Sequence, residues 1–107
     1  MEYEITDTIT PQEYLEMRTI VGWKLFPLEQ AKGGLEHTTH IVCFRKDKKP
    51  IAVARVLWDH GYVVYIADVI VHPDFQGQGI GRDLMNHALD YIKSKLKIME
   101  FNNFFQK

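Results

Sequence analysis

The chain has a single cysteine, Cys43, among its 107 residues, so no internal disulfide can staple it. Cys43 lies in the apolar run Ile41-Val42-Cys43-Phe44, where a buried, inert thiol is expected ahead of a nucleophile. An excess of charge of either sign is also lacking: 13 Lys and Arg stand against 14 Asp and Glu, for a net charge of -1. That balance leaves no electrostatic footprint for nucleic acid or for a membrane surface. The one basic run, Lys93, Lys95 and Lys97, reads as a solvated helix end favoured by the helix dipole. No apolar stretch approaches the ~20 residues that span a bilayer. The opening MEYEITDTIT has neither the basic nor the apolar region of a signal peptide. A cytoplasmic protein is expected. His37, His40 and His60 fall in loops or at strand ends without Cys or carboxylates at ligand spacing, so no metal is expected either.

What the chain does have is enough for one domain, taken as residues 1–107. A short strand is expected within Tyr3 to Thr8. Thr10-Pro11-Gln12-Glu13 then reads as a helix start, with Thr10 as N-cap, Pro11 at the first helical position and Glu13 closing a capping box. Tyr14, Leu15, Met17, Arg18 and Val21 follow at helical spacing, and Gly22 reads as the stop. A second helix is expected over Leu28 to Lys32, ended by Gly33-Gly34. His40 to Arg45 and Ile51 to Trp58 read as strands around the charged turn Lys46 to Pro50. Asp59-His60-Gly61 reads as a tight connection to a long strand, Tyr62 to Val71, whose only charge is Asp68. Ile80, Leu84, Met85, Ala88, Leu89, Ile92 and Leu96 mark one face of a helix from about Gly79 to Leu96. In the tail, Ile98, Glu100 and Phe101 allow a fifth strand that Asn102-Asn103 would break, and Phe104-Phe105 is an aromatic end needing cover. The order implies an α+β fold, a mixed, mostly antiparallel sheet flanked by helices, with one crossover helix after the long strand.

Three of the seven glycines fall within five positions, between that strand and that helix, in Gln76-Gly77-Gln78-Gly79-Ile80-Gly81-Arg82. Bare N–H groups at a helix N-terminus, with the positive end of the dipole, form an anion site. A nucleotide-binding loop of the G-x-x-x-x-G-K-[ST] type is excluded, because Arg82-Asp83 follows Gly81. A dinucleotide fingerprint G-x-G-x-x-G fits poorly, since Arg82 stands at the third glycine and the strands before it read as antiparallel hairpins. A tight turn with no ligand remains the plain alternative.

Gln76-Gly77-Gln78-Gly79-Ile80-Gly81 matches the Q/R-x-x-G-x-G/A element of the GCN5-related N-acetyltransferases (GNAT). The preceding Val69-Ile70-Val71-His72-Pro73-Asp74-Phe75 and the following Arg82-Asp83-Leu84-Met85 resemble that family too, as does the element order from about residue 1 to about residue 97. The resemblance implies the acyl-CoA N-acyltransferase-like fold and acetyl-CoA as cosubstrate. It implies transfer of an acetyl group to a primary amine of a small molecule or protein. It further implies that Gln76, Gly77, Gln78, Gly79, Ile80, Gly81 and Arg82 hold the pyrophosphate. Val69, Ile70 and Val71 would pair with the pantetheine arm through backbone groups, the Val69 N–H serving as oxyanion donor. The same three side chains can pack in a core at the same time.

Thioester aminolysis needs a neutral amine, so a base or a water relay must take a proton. Asp68 is the candidate catalytic base, a carboxylate in an apolar strand with an expected raised pKa. A structural carboxylate accepting hydrogen bonds, or a binder of the substrate ammonium, is an equal alternative. Many family members place a Glu base elsewhere on this strand. His72 reads as a turn residue. Glu29, Glu36 and His37 lie where the family forms its acceptor pocket, which Trp23, Phe26, Trp58 and Tyr65 would line unless they serve the core. For the family's usual C-terminal elements, a fifth strand, a fourth helix and a closing hairpin, only Lys97 to Lys107 remain, and no Tyr follows Tyr91 to act as general acid. Two expectations follow: a homodimer in which a second subunit covers the sheet edge, or a non-catalytic CoA-binding or dimeric interaction module.

Overall fold

The computed structural model describes residues 2–96. The tail readings at Ile98, Glu100, Phe101 and Phe104-Phe105 lie outside the described residues. In chain order the elements are β1 (Glu4–Thr6), α1 (Pro11–Ile20), α2 (Leu28–Glu36), β2 (His40–Lys46), β3 (Lys49–Trp58), β4 (Val64–Val71) and α3 (Ile80–Lys95), with a 3-10 turn at Pro73–Phe75. The strands form one sheet in the order β1-β2-β3-β4, every described pairing being antiparallel. The described elements follow the order that the resemblance implied, an antiparallel sheet flanked by helices with a crossover helix after the last strand.

Local chemistry explains most of the boundaries. Thr10 caps α1 by accepting from the Glu13 N–H, while Glu13 accepts from the Thr10 N–H, so the capping box is complete. Gly22 ends the helix region with φ 81°. The hairpin between β2 and β3 turns on Asp47 and Lys48, both left-handed at φ 52° and 69°, a conformation whose twist suits a two-residue loop.

Two boundaries differ from expectation. α2 does not stop at Gly33-Gly34 but continues to Glu36. Gly34 sits against Arg55, whose Nη2 donates to the Gly34 carbonyl at 3.0 Å, so Gly34 gives close helix–strand approach rather than a stop. β4 begins at Val64, not Tyr62. The Asp59 carboxylate accepts from the N–H groups of Gly61 and Val63, at 2.7 Å and 3.3 Å, and holds residues 59–63 as a longer loop.

The sheet is buried on both faces. α3 covers one, where Val42, Phe44, Ala52, Ala54 and Val56 pack with Ile80, Leu84, Ala88 and Ile92. α1 and α2 cover the other, where Tyr14, Met17 and Ala31 pack with Cys43, Val53 and Ile70. Cys43 is fully buried, and burial pushes its thiol pKa up, as befits an inert core side chain.

β4 carries an irregularity that orders the site. Val53 faces Ile70, but Arg55 faces Ala67, so Asp68 and Val69 together oppose Ala54 alone. This is a β-bulge, with Asp68 left-handed at φ 54°. It reverses the alternation of the strand: Ile66 packs toward α3, whereas Ile70 packs toward α1.

Candidate active site

The glycine loop joins the end of β4 to the start of α3. His72 and Gln76 set its entry. The His72 Nδ1 accepts from the Asp74 N–H at 3.1 Å and caps the 3-10 turn, the turn role expected of it. The Gln76 amide donates to the Val71 carbonyl at 2.9 Å, tying the loop back to β4. Gly77 and Gly79 are both left-handed, at φ 77° and 81°, which L side chains rarely adopt. Gly79 is the N-cap of α3 and no side chain caps it. The first helical bond runs from the Asp83 N–H to the Gly79 carbonyl. The N–H groups of the first turn, Ile80 to Arg82, therefore have no partner within the helix. Gly81 lies over Val71, where a Cβ would meet Cγ2 at 3.7 Å. Arg82 is exposed and brings its guanidinium back over Gly79. The seven loop residues thus form one cationic, donor-rich surface at the end of β4.

The second part of the site is the bulge. Asp68 Oδ2 accepts from the Tyr14 hydroxyl and from Arg55 Nη1, the latter at 2.8 Å. Its Oδ1 accepts from Arg18 Nη1 at 3.3 Å. Tyr14 and Arg18 stand one turn apart on α1. Burial first, then the Asp68 carboxylate, raises the Tyr14 pKa above its ordinary value. Burial works against the charge of Arg55, but its bonds to Asp68 and Tyr14 outweigh that and leave its pKa raised. Arg18 lies over the rings of Phe26 and Trp23, with 4.6 Å and 5.2 Å from guanidinium carbon to centroid. Of the roles weighed for Asp68, this geometry favours the hydrogen-bonded structural carboxylate.

Tyr14, Arg18 and Arg55 were not singled out from the sequence. Arg55 did carry a signal, as the one charge within the apolar alternation of β3. The residues proposed for an acceptor pocket fall in separate places: Trp23 and Phe26 flank Arg18. Glu29 and Glu36 line a groove with Ile9, Leu28, Leu35 and Ile41, to which none of the Asp68 partners contributes. His37 closes the end of α2 by a 2.8 Å contact of Nδ1 with the Gly33 carbonyl. Phe26 is half-buried on Arg18, Trp58 is half-buried, and Tyr65 is 64% exposed rather than part of the core. Among the described residues no cluster of three His, Cys, Asp or Glu could hold a metal. No described helix is long and apolar enough to cross a membrane.

Comparison with known proteins decides the lineage. A profile described as the acetyltransferase (GNAT) family matches residues 3–104. The chain belongs to the GNAT acetyltransferase family. It is 32% identical over 92 residues to the uncharacterized N-acetyltransferase ycf52 of Porphyra purpurea, a match covering 82% of this chain and 53% of that protein. The chain thus spans about half the length of that GNAT relative. A Staphylococcus aureus structure described as a probable acetyltransferase superposes with TM-score 0.81 at 30% identity, over 87% of this chain and 71% of that one. The ribosomal-protein-S18-alanine N-acetyltransferase of Escherichia coli shares the GNAT fold, with TM-score 0.73 at 17% identity, over 88% of this chain and 61% of that one.

Proposed function

We propose that this GNAT domain, formed by residues 1–107, transfers an acetyl group from acetyl-CoA to a primary amine of a small molecule or protein. The observation that carries the reading is the uncapped, glycine-built start of α3 placed directly after an edge strand. The N–H groups of Gln78 to Arg82 would receive the pyrophosphate, with Gln76, Gly77 and the Arg82 charge around it. The outer edge of β4 has no partner strand among the described residues, so Val69, Ile70 and Val71 can pair with the amides of the pantetheine arm as an added strand would. The thioester would then lie at the bulge. There the Val69 N–H is the proposed oxyanion donor.

Attack by a neutral amine on the thioester carbonyl forms the amide and expels the CoA thiolate, and the amine's proton leaves the site. Asp68 adjoins Val69, where a carboxylate either takes that proton through water or holds the strand in place. Holding amine and thioester together supplies much of the rate in either case.

A homodimer is proposed at the start of β4, ahead of the Val69–Val71 stretch given to the pantetheine arm, since Tyr62, Val63 and Tyr65 leave apolar surface exposed there. A reducing compartment such as the cytoplasm is in keeping with the one unpaired thiol. Isothermal titration with acetyl-CoA and with CoA tests the reading, followed by thiol release across a panel of amines. Saturable binding that Gly79→Asp abolishes, with amine-dependent thiol release, is the expected result. No binding at millimolar ligand would overturn it. Binding without turnover for any amine would leave the coenzyme site standing as a non-catalytic module.

A further inference from the structure

We propose that Asp68 is a positioning residue that locks the β4 bulge from the helix side and thereby fixes the backbone of Val69. The proposal rests on the acetyl-transfer reading only for what Val69 then does. The lock itself stands on the free protein. A bulge in an inner strand is held by neighbours on both sides; among the described residues only β3 pairs with β4. The bulged residue is not a glycine, and its left-handed φ of 54° is sparsely populated. Such a conformation persists where the surroundings over-determine it.

The surroundings here are three donors, from two elements, that converge on one carboxylate. Tyr14 and Arg18 come from α1 and Arg55 comes from β3. Arg55 is itself fixed: Nε donates to Thr38 Oγ1 at 2.9 Å, and Nη2 donates to the Gly34 carbonyl of α2. Arg18 is fixed by its rings and by Nη2, which donates to the Lys24 carbonyl at 3.3 Å. Both carboxylate oxygens are thus engaged by donors that face away from the open edge, and the Asp68 side chain is only 19% exposed. A group so directed holds the chain and does not reach into an acceptor site. The reversed alternation is its product: the next residue, Val69, is 37% exposed, and Ile70 returns to the α1 side of the core. Polar groups of the strand that the bulge removes from the ladder are then presented in one fixed direction.

Asp68→Asn keeps the size of the side chain but loses its charge. Asp68→Gly tolerates the left-handed turn but removes the carboxylate. Tyr14→Phe takes one donor from the lock and leaves Asp68 untouched. Amide hydrogen exchange of the free variants reads the lock directly. All three are expected to exchange Ile70, the ladder residue paired with Val53, faster, roughly tenfold for loss of one charge-assisted bond, with the α3 amides of Leu84 and Ala88 unchanged to show an intact core. In acetyl-CoA-dependent thiol release, kcat should fall while KM for acetyl-CoA moves little, and Asp68→Asn should keep the low-pH limb of the kcat profile. Unchanged exchange at Ile70 in all three variants would overturn the proposal. So would loss of the low-pH limb in Asp68→Asn, which identifies a base. If the wild-type chain fails to bind acetyl-CoA, the transfer reading falls, and the exchange data still decide the lock.

Discussion

At the scale of single residues, the loop glycines are not equivalent. Gly79 holds φ 81° and its Cβ would meet Arg82 Nη2 at 3.4 Å, whereas Gly81 has ordinary helical backbone and a contact of 3.7 Å to Val71. Gly79→Ala should therefore lower stability by about 1–2 kcal/mol, the usual cost of a left-handed L residue. Gly81→Ala should stay within about 0.5 kcal/mol of the parent in urea unfolding. A reversed order would mean that the loop glycines serve close approach alone. The positions of these glycines were legible in the sequence because strand, loop and helix are contiguous there. The partners of Asp68 were not. Tyr14, Arg18 and Arg55 lie 54, 50 and 13 residues away, and only the sheet register and the packing of α1 bring them together. Asp68 itself stood out as a charge in an apolar strand. Its environment turned out polar, so the setting inferred from its neighbours in sequence was not the setting in space.

At the scale of elements, caps and turns were the most legible features, since they are local. The complete capping box of α1 predicts that Thr10→Ala costs about 1 kcal/mol by thermal or denaturant unfolding. The end of α2 was misplaced because a Gly-Gly pair is read as a stop, while here a long-range contact with Arg55 keeps the helix going. The two glycines can be separated by experiment. A Cβ on Gly33 would meet nothing within 4 Å, whereas one on Gly34 would press on the Arg55 guanidinium at 3.4 Å. Gly33→Ala should stabilise the protein by about 0.5–1 kcal/mol through backbone entropy. Gly34→Ala should gain less or lose, and equal gains at both would remove the close-approach account of α2. Similarly, the start of β4 was set too early because Tyr62 and Val63 look like strand residues. The backbone on either side of Tyr62, at Gly61 and Val63, is captured by Asp59, a choice that apolar patterning does not record.

At the scale of the whole molecule, one ion pair joins distant layers and sets an acid limit. Arg45 on β2 donates to both oxygens of Glu13 on α1, at 2.8 Å and 2.9 Å, and the hydrogen bonds from Arg45 hold the Glu13 pKa down from 4.5 to about 2. The pair's stabilisation is complete above pH 4.5, where the carboxylate is ionised folded or unfolded. It is lost as pH falls toward 2, because the unfolded chain takes up the proton first. Allowing for screening of a partly exposed pair, the loss is about 1 kcal/mol. Unfolding of Glu13→Gln measured between pH 5 and 2.5 should show a shallower decline than the parent, and parallel curves would refute this.

Ile80 ties the glycine loop to the rest of the molecule. It follows Gly79 directly, yet its side chain is 3% exposed and packs with Leu84, Val42 and Phe44 at the centre of the α3 layer. The donors of the proposed anion site thus adjoin a core residue. Under the proposed coenzyme role, their alignment would be inherited from folding and an incoming phosphate would have little left to organise. Recognition at this loop would then draw on the same packing that holds the core together.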